Sequence, residues 1–227
     1  VFDETMTAVK KLNDLGLRNV RHMPNFKRYD FVPDLIQKES NQSFRTVFFS
    51  RVMREKGVEL AIKAVRIIRE CRNIDITLDI IGPVSERYQD EFNHAIQSCG
   101  EFIKYKGYYQ PNSDEVHSML AEYDLMLFPT YYRTEGIPGA IIDAYISGLP
   151  VLASNWDNAD DVILEGKTGR VFALGDLEDL IFKLLWFVQN PDDMFKMRSF
   201  CIEEAKQYHV NNVLPRLLKE VQISNEW

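Results

Sequence analysis

Two carboxylates and two cations stand out by type and spacing. Glu135 and Asp143 lie eight positions apart in the run from Met126 to Ser154, MLFPTYYRTEGIPGAIIDAYISGLPVLAS. A strand there ends in a polar loop, Glu-Gly-x-Pro opens a helix, and Gly-Leu-Pro feeds a second strand. Such a step presents backbone amides and carboxylates to one anionic, hydroxyl-rich ligand. The unbonded N–H groups and partial positive charge of a helix N-terminus suit phosphate or sugar oxygens. Pro138 fits the first helical position, where its missing N–H costs nothing, and Gly136 and Gly139 permit close approach. The amides of Gly136, Ile137, Gly139 and Ala140 are therefore the expected cradle, although the same features fit an ordinary helix cap. Asp143 sits among Ile141, Ile142, Ala144, Tyr145 and Ile146. A carboxylate in that company needs a partner unless its side chain faces solvent.

Arg51 and Lys56 follow the apolar run TVFFS at 46–50. In an open α/β sheet, ligands bind at the carboxyl ends of the strands. Arg grips phosphate with a bidentate fork, and Lys supplies a compact point charge. Arg54, between them, reads as a solvated helix-start cation. Tyr131, Tyr132 and Arg133 either line the same edge or stand as surface loop residues. Trp156 either shapes a pocket, packs on another domain or caps the core.

The elements that must position these residues alternate between short apolar runs and longer amphipathic stretches, the pattern of parallel α/β units. Strands are expected at 46–50, 76–81, 102–105, 124–128, 151–153 and 169–173. Helices are expected at 59–69, 86–98, 114–122 with Ser113 as cap, 138–147, 177–189, 194–208 and 213–221, with one helical turn at 160–164. Residues 6–15 read as a helix and 19–22 as a strand, followed by a polar, irregular stretch at 26–42.

The apolar share of 45% supports a substantial core, and a net charge of −7 argues against nucleic acid or an anionic membrane surface as main partner. An anionic ligand must then be met by a few local cations. Cys71, Cys99 and Cys201 are scattered without metal-ligand spacing, which fits reduced thiols in a cytoplasm. His22, His94, His117 and His209 stand in different elements, so no metal site is expected. No run of about 18 apolar residues encodes a membrane span. The chain opens at Val1 in what reads as mid-domain sequence, and a preceding portion is expected.

The order of these motifs resembles that of the GT-B-fold retaining glycosyltransferases of family 4 (glycosyl transferases group 1). Arg51 with Lys56-Gly57 resembles their R-x4-K-G element, EGIPGAIID their E-x7-E motif, ISGLPVLAS the turn and strand that follow, and EGKTGRVF their D/E-G-x-T-G element. The resemblance covers residues ~43 to 208. It implies an α/β, Rossmann-like parallel sheet flanked by helices, the C-terminal, donor-binding half of a GT-B fold. Residues 1–25 would be the tail of a preceding acceptor-binding domain, 26–44 an interdomain connection, 45–208 the nucleotide-sugar donor-binding domain and 209–227 a C-terminal helix.

The resemblance also implies the roles. Arg51 and Lys56 would contact the donor diphosphate, and Glu135 would stand beside the donor sugar. Asp143 takes the place of a glutamate that accepts the ribose hydroxyls, one methylene shorter, so direct contact requires a closer ribose or a bridging water. Asp161 replaces another frequent family glutamate. Tyr108 and Tyr109 fall in the base-recognition region, and Pro83 and Val84 on the same ligand edge. No metal or cofactor is implied. The expected partners are a nucleotide sugar and a saccharide or lipid-linked acceptor, in polysaccharide or glycan biosynthesis. The setting would be cytoplasmic, with peripheral contact at the inner membrane face. Two other functions fit: a catalytically silent α/β protein-binding module, and a GT-B nucleotide-sugar epimerase.

Overall fold

A computed structural model describes residues 1–35, 42–97, 99–108 and 113–223. Of the expected features, Ser98, Tyr109, residues 36–41 of the connection and 224–227 of the last helix lie outside them.

The main sheet has six parallel strands: β3 (Phe44–Phe49), β4 (Ile76–Ile81), β5 (Ile103–Tyr105), β6 (Leu125–Phe128), β7 (Val151–Ser154) and β8 (Gly169–Phe172), in the order β5-β4-β3-β6-β7-β8. It is the Rossmann-like α/β sheet expected from the alternation of elements. Two further strands, β1 (Phe2–Asp3) and β2 (Arg21–His22), pair in parallel with α1 (Met6–Asp14) between them. β1 is too short to show a period, and sequence periodicity does not reveal it.

Side-chain alternation along the strands builds two cores. Phe48, Leu78, Ile80, Leu125, Leu127 and Leu152 enter one, with α2 (Val58–Arg72) and α6 (Leu177–Gln189) packed on that face. Val47, Met126, Phe128, Val151 and Ala153 enter the other, under α4 (Ser113–Ala121), α5 (Gly139–Ile146) and α7 (Pro191–Ala205). A strand buried on both faces reads as a continuous apolar run, as β6 does, whereas β4 carries half-buried Thr77 and Asp79 between buried apolar residues. α3 (Gln89–Gln97) and α8 (Val210–Ile223) complete the order.

Several local expectations shift. Pro138 is not the first helical residue: it is the N-cap of α5, in extended conformation with φ −65° and ψ 126°, and the helix begins at Gly139. Pro191 takes the first position of α7, and Pro215 lies inside α8, which begins three residues earlier than expected. Helix α4 begins at Ser113 itself. The helical turn expected at 160–164 is a short 3-10 turn at Ala159–Asp161. All three cysteines are free: Cys71 is exposed, Cys99 half-buried and Cys201 buried, where desolvation pushes its thiol pKa up.

The strand order reverses between β3 and β6. The chain leaves β3 toward β4 and β5, then returns on the other side through β6, β7 and β8. The loops after β3 and β6 therefore diverge at one point on the carboxyl edge, the place where open α/β sheets leave a crevice.

Candidate functional site

The loop after β3 carries Arg51 and Lys56, and the loop after β6 carries Glu135. The two loops are bonded to each other: Tyr131 N–H donates to the Glu55 carbonyl at 2.7 Å, and Thr130 Oγ1 lies 3.3 Å from the same oxygen. Gly57 makes this approach possible. Its φ is +72°, and a Cβ there would fall 1.9 Å from the Pro129 carbonyl oxygen. Only glycine meets both conditions without strain.

That contact brings Lys56 onto Glu135, with Nζ 2.7 Å from Oε1 and 2.5 Å from Oε2. The two side chains are only 16% and 14% exposed, so the pair is well shielded from water. The rings of Phe128 and Tyr132 lie 5.6 and 5.8 Å from the ammonium, close enough for cation–π attraction. Asn158 Nδ2 donates to the Glu135 carbonyl at 2.7 Å and fixes the backbone under the carboxylate. Arg51 stands on the same edge, exposed, and makes no ion pair among the described residues. Arg54 is exposed and pairs with Glu91.

Of the four expected cradle amides, three are open. The N–H groups of Gly136, Gly139 and Ala140 have no hydrogen-bond partner among the described residues. The fourth is occupied: Ile137 N–H donates to Glu4 Oε2 at 2.8 Å. Asn25 Nδ2 binds the other side of that residue, donating to the Ile137 carbonyl at 3.0 Å.

Asp143 is buried and bonded on both oxygens. Lys27 Nζ lies 2.5 Å from Oδ2, and His117 Nε2 lies 3.0 Å from Oδ1. The partner that its apolar surroundings demand is supplied by the protein itself. Each oxygen therefore already has one partner within the chain. Asp161 accepts the Thr7 N–H at 2.8 Å near the start of α1. Trp156 is 1% exposed and lies edge-on to Phe128, which settles it as a core residue. Tyr131 and Tyr132 are exposed on the loop, and Tyr108 is exposed after β5. Among the described residues no group of three His, Cys, Asp or Glu is placed to hold a metal ion.

The carboxyl edge at the sheet's reversal point thus carries a cation, a carboxylate, a second exposed cation and three open amides. The model of the glycosyl transferases group 1 matches residues 43–190, which include Arg51, Lys56, Glu135 and Asp143.

The chain belongs to this glycosyltransferase family.

Among curated members, the D-inositol 3-phosphate glycosyltransferase of Paenarthrobacter aurescens (strain TC1) is 27% identical over 163 residues, 69% of this chain and 39% of that protein. A putative colanic acid biosynthesis glycosyltransferase, WcaL of Salmonella typhimurium, is 25% identical over 195 residues, 81% of this chain and 47% of that one. The chain thus spans less than half of either relative. Among solved glycosyltransferase structures, Anabaena HepE in complex with UDP and glucose superposes with a TM-score of 0.82 at 17% identity, over 98% of this chain and 62% of that one. TarM of S. aureus, solved with UDP and α-GlcNAc-glycerol, superposes at 0.81 with 21% identity, over 97% and 43%. These likenesses establish the GT-B-type fold. No helix among the described residues is long and apolar enough to cross a membrane.

Lys27, Glu4, Asn25, His117 and Asn158 escaped the motif-based reading. Each meets its partner across 23 to 133 positions of sequence, beyond any local period. The one available signal was the apolar company of Asp143, which called for a partner without naming it.

Proposed function

We propose that the chain is the donor-binding part of a retaining glycosyltransferase that moves a sugar from a nucleotide diphosphate to a saccharide or lipid-linked acceptor. The observation that carries the reading is Lys56 bonded to Glu135 at the strand-order reversal, beside the open amides of α5. Without ligand, the cation and the carboxylate neutralise each other. A diphosphate entering the crevice gives Lys56 a better partner, joined by Arg51 and the amides of Gly136, Gly139 and Ala140. Negative charge grows on the departing nucleotide as the glycosidic bond breaks, and fixed donors aimed at it lower the barrier. Glu135, released from Lys56, stands where it would stabilise positive charge on the sugar ring. Two side-chain cations then do the work of a divalent ion, so EDTA should leave donor binding unchanged.

The colanic acid and amylovoran biosynthesis glycosyltransferases among the relatives support polysaccharide biosynthesis as the setting. The UDP held by the solved neighbours makes it the first probe. Calorimetry with UDP, GDP and ADP should show one of them binding, and Lys56→Ala should weaken it by about tenfold or more, as expected for a charge-assisted contact. Equal binding by both proteins counts against this reading. The occupied Asp143 favours one rival, a silent protein-binding module. In that case Glu135→Gln in the full-length protein leaves its function intact.

A further inference from the structure

Residues 1–35 place three side chains on the loop and helix that carry the open amides: Glu4 and Asn25 on Ile137, and Lys27 on Asp143. The family motifs assign nothing to Lys27. We propose that Lys27 is a third cation for the donor, binding a phosphate of the nucleotide at the start of α5, and that Asp143 holds Lys27 there instead of touching ribose. The inference rests on the nucleotide-sugar reading and adds a residue to it.

Position is the first support. Gly139 and Asp143 lie one turn apart on the same face of α5, and Lys27 covers that turn. A Cβ built on Gly139 would lie 3.6 Å from Lys27 Cε and 3.7 Å from Nζ. The ammonium therefore stands beside Gly139, the first helical residue, whose amide and that of Ala140 have no partner among the described residues. A cation at the positive end of a helix is unfavourable by itself. It becomes favourable when an anion lies between them.

Charge and access are the second. Lys27 has three N–H donors, and Asp143 accepts one. The other Asp143 oxygen meets His117, whose Nδ1 is buried with no partner among the described residues. Lys27 Nζ is paired with Asp143 alone among the described residues. The Asp143 side chain is 10% exposed and that of Lys27 is 32% exposed. An incoming phosphate reaches the ammonium, while the carboxylate is sealed beneath it.

Preorganisation is the third. Lys27 N–H donates to the Tyr208 carbonyl, and the Lys27 carbonyl accepts from Val210 N–H, both at 2.9 Å. The backbone is fixed on both sides, so a phosphate finds the side chain already anchored.

The test is binding of UDP, UMP and uridine to the whole chain by saturation-transfer NMR and calorimetry, with Lys27→Gln, Lys27→Met and Lys56→Ala. Lys27→Gln keeps a donor for Asp143 and removes the charge, and thermal melts check that it folds. Its affinity for UDP should fall by about tenfold or more, the worth of a charge-assisted hydrogen bond, while uridine binding stays within about twofold. Lys27→Met should behave likewise with a lower melting temperature. If UDP and uridine weaken by the same factor, Lys27 is only a structural tie. If Lys56→Ala loses UDP and Lys27→Gln does not, the donor reading stands and the Lys27 proposal falls. If the unaltered chain binds none of UDP, GDP and ADP, both fall together.

Discussion

At one end of the 135–143 segment, Lys56 meets Glu135 across two loops of the same sheet. At the other, Lys27 comes from outside the sheet to meet Asp143, with His117 behind it. Both ends pair a lysine with a shielded carboxylate, but they are built differently. Lys56 depends on a glycine that lets two loops touch. Lys27 depends on a stretch of chain tied to the start of α8. Both members of the first pair lie inside the family-matched residues 43–190, and one member of the second lies outside them. A motif can specify the first pair; the second requires the packing of distant segments.

Gly57→Ala should break the first end most severely. The added Cβ collides with the Pro129 carbonyl in a left-handed backbone, and urea unfolding should show a loss of about 2–5 kcal/mol. Nucleotide binding should fall with it. Stability within about 0.5 kcal/mol of the parent would mean the two loops do not need their close contact.

Asp143→Asn attacks the second end. It leaves a half-buried ammonium without its counter-charge, at a cost of about 1–3 kcal/mol by urea unfolding. Most of that loss should vanish in a Lys27→Met background, because the stranded charge is then gone. An undiminished loss in the double variant would assign the effect to His117 instead.

Glu4→Ala is the mildest and sharpens the contrast between free and occupied amides. It releases Ile137 N–H and removes a negative charge from the mouth of the helix. Stability should drop by less than about 1 kcal/mol, and UDP should bind about two- to fivefold tighter in calorimetry. Weaker UDP binding would recast Glu4 as a support for the loop.

Much of the fold was legible because the parallel strands are short, largely apolar runs interrupted by Gly and Pro. The strand at 76–81 coincides with β4, and the helix expected at 177–189 with α6. One boundary failed at Pro138, where a capping residue won over a pattern, and another at the start of α8. Within the site, the juxtaposition of Arg51, Lys56 and Glu135 on one edge follows from strand order, which motif order anticipates. The state of Asp143 does not, since its two partners come from the segment after β2 and from α4. Glu4 was invisible for the same reason: nothing near it in sequence signals a loop residue 133 positions away.

The short parallel bridge between Lys27 and His209 reaches further than the site. It binds the passage that follows β2 to the one that enters α8, so two separate crossings of the chain run side by side. Neither can bend without shearing two backbone hydrogen bonds or carrying the other along. The Lys27 backbone is thus held by a paired crossing and not by a single run of chain, and its side chain starts from a fixed point beside α5.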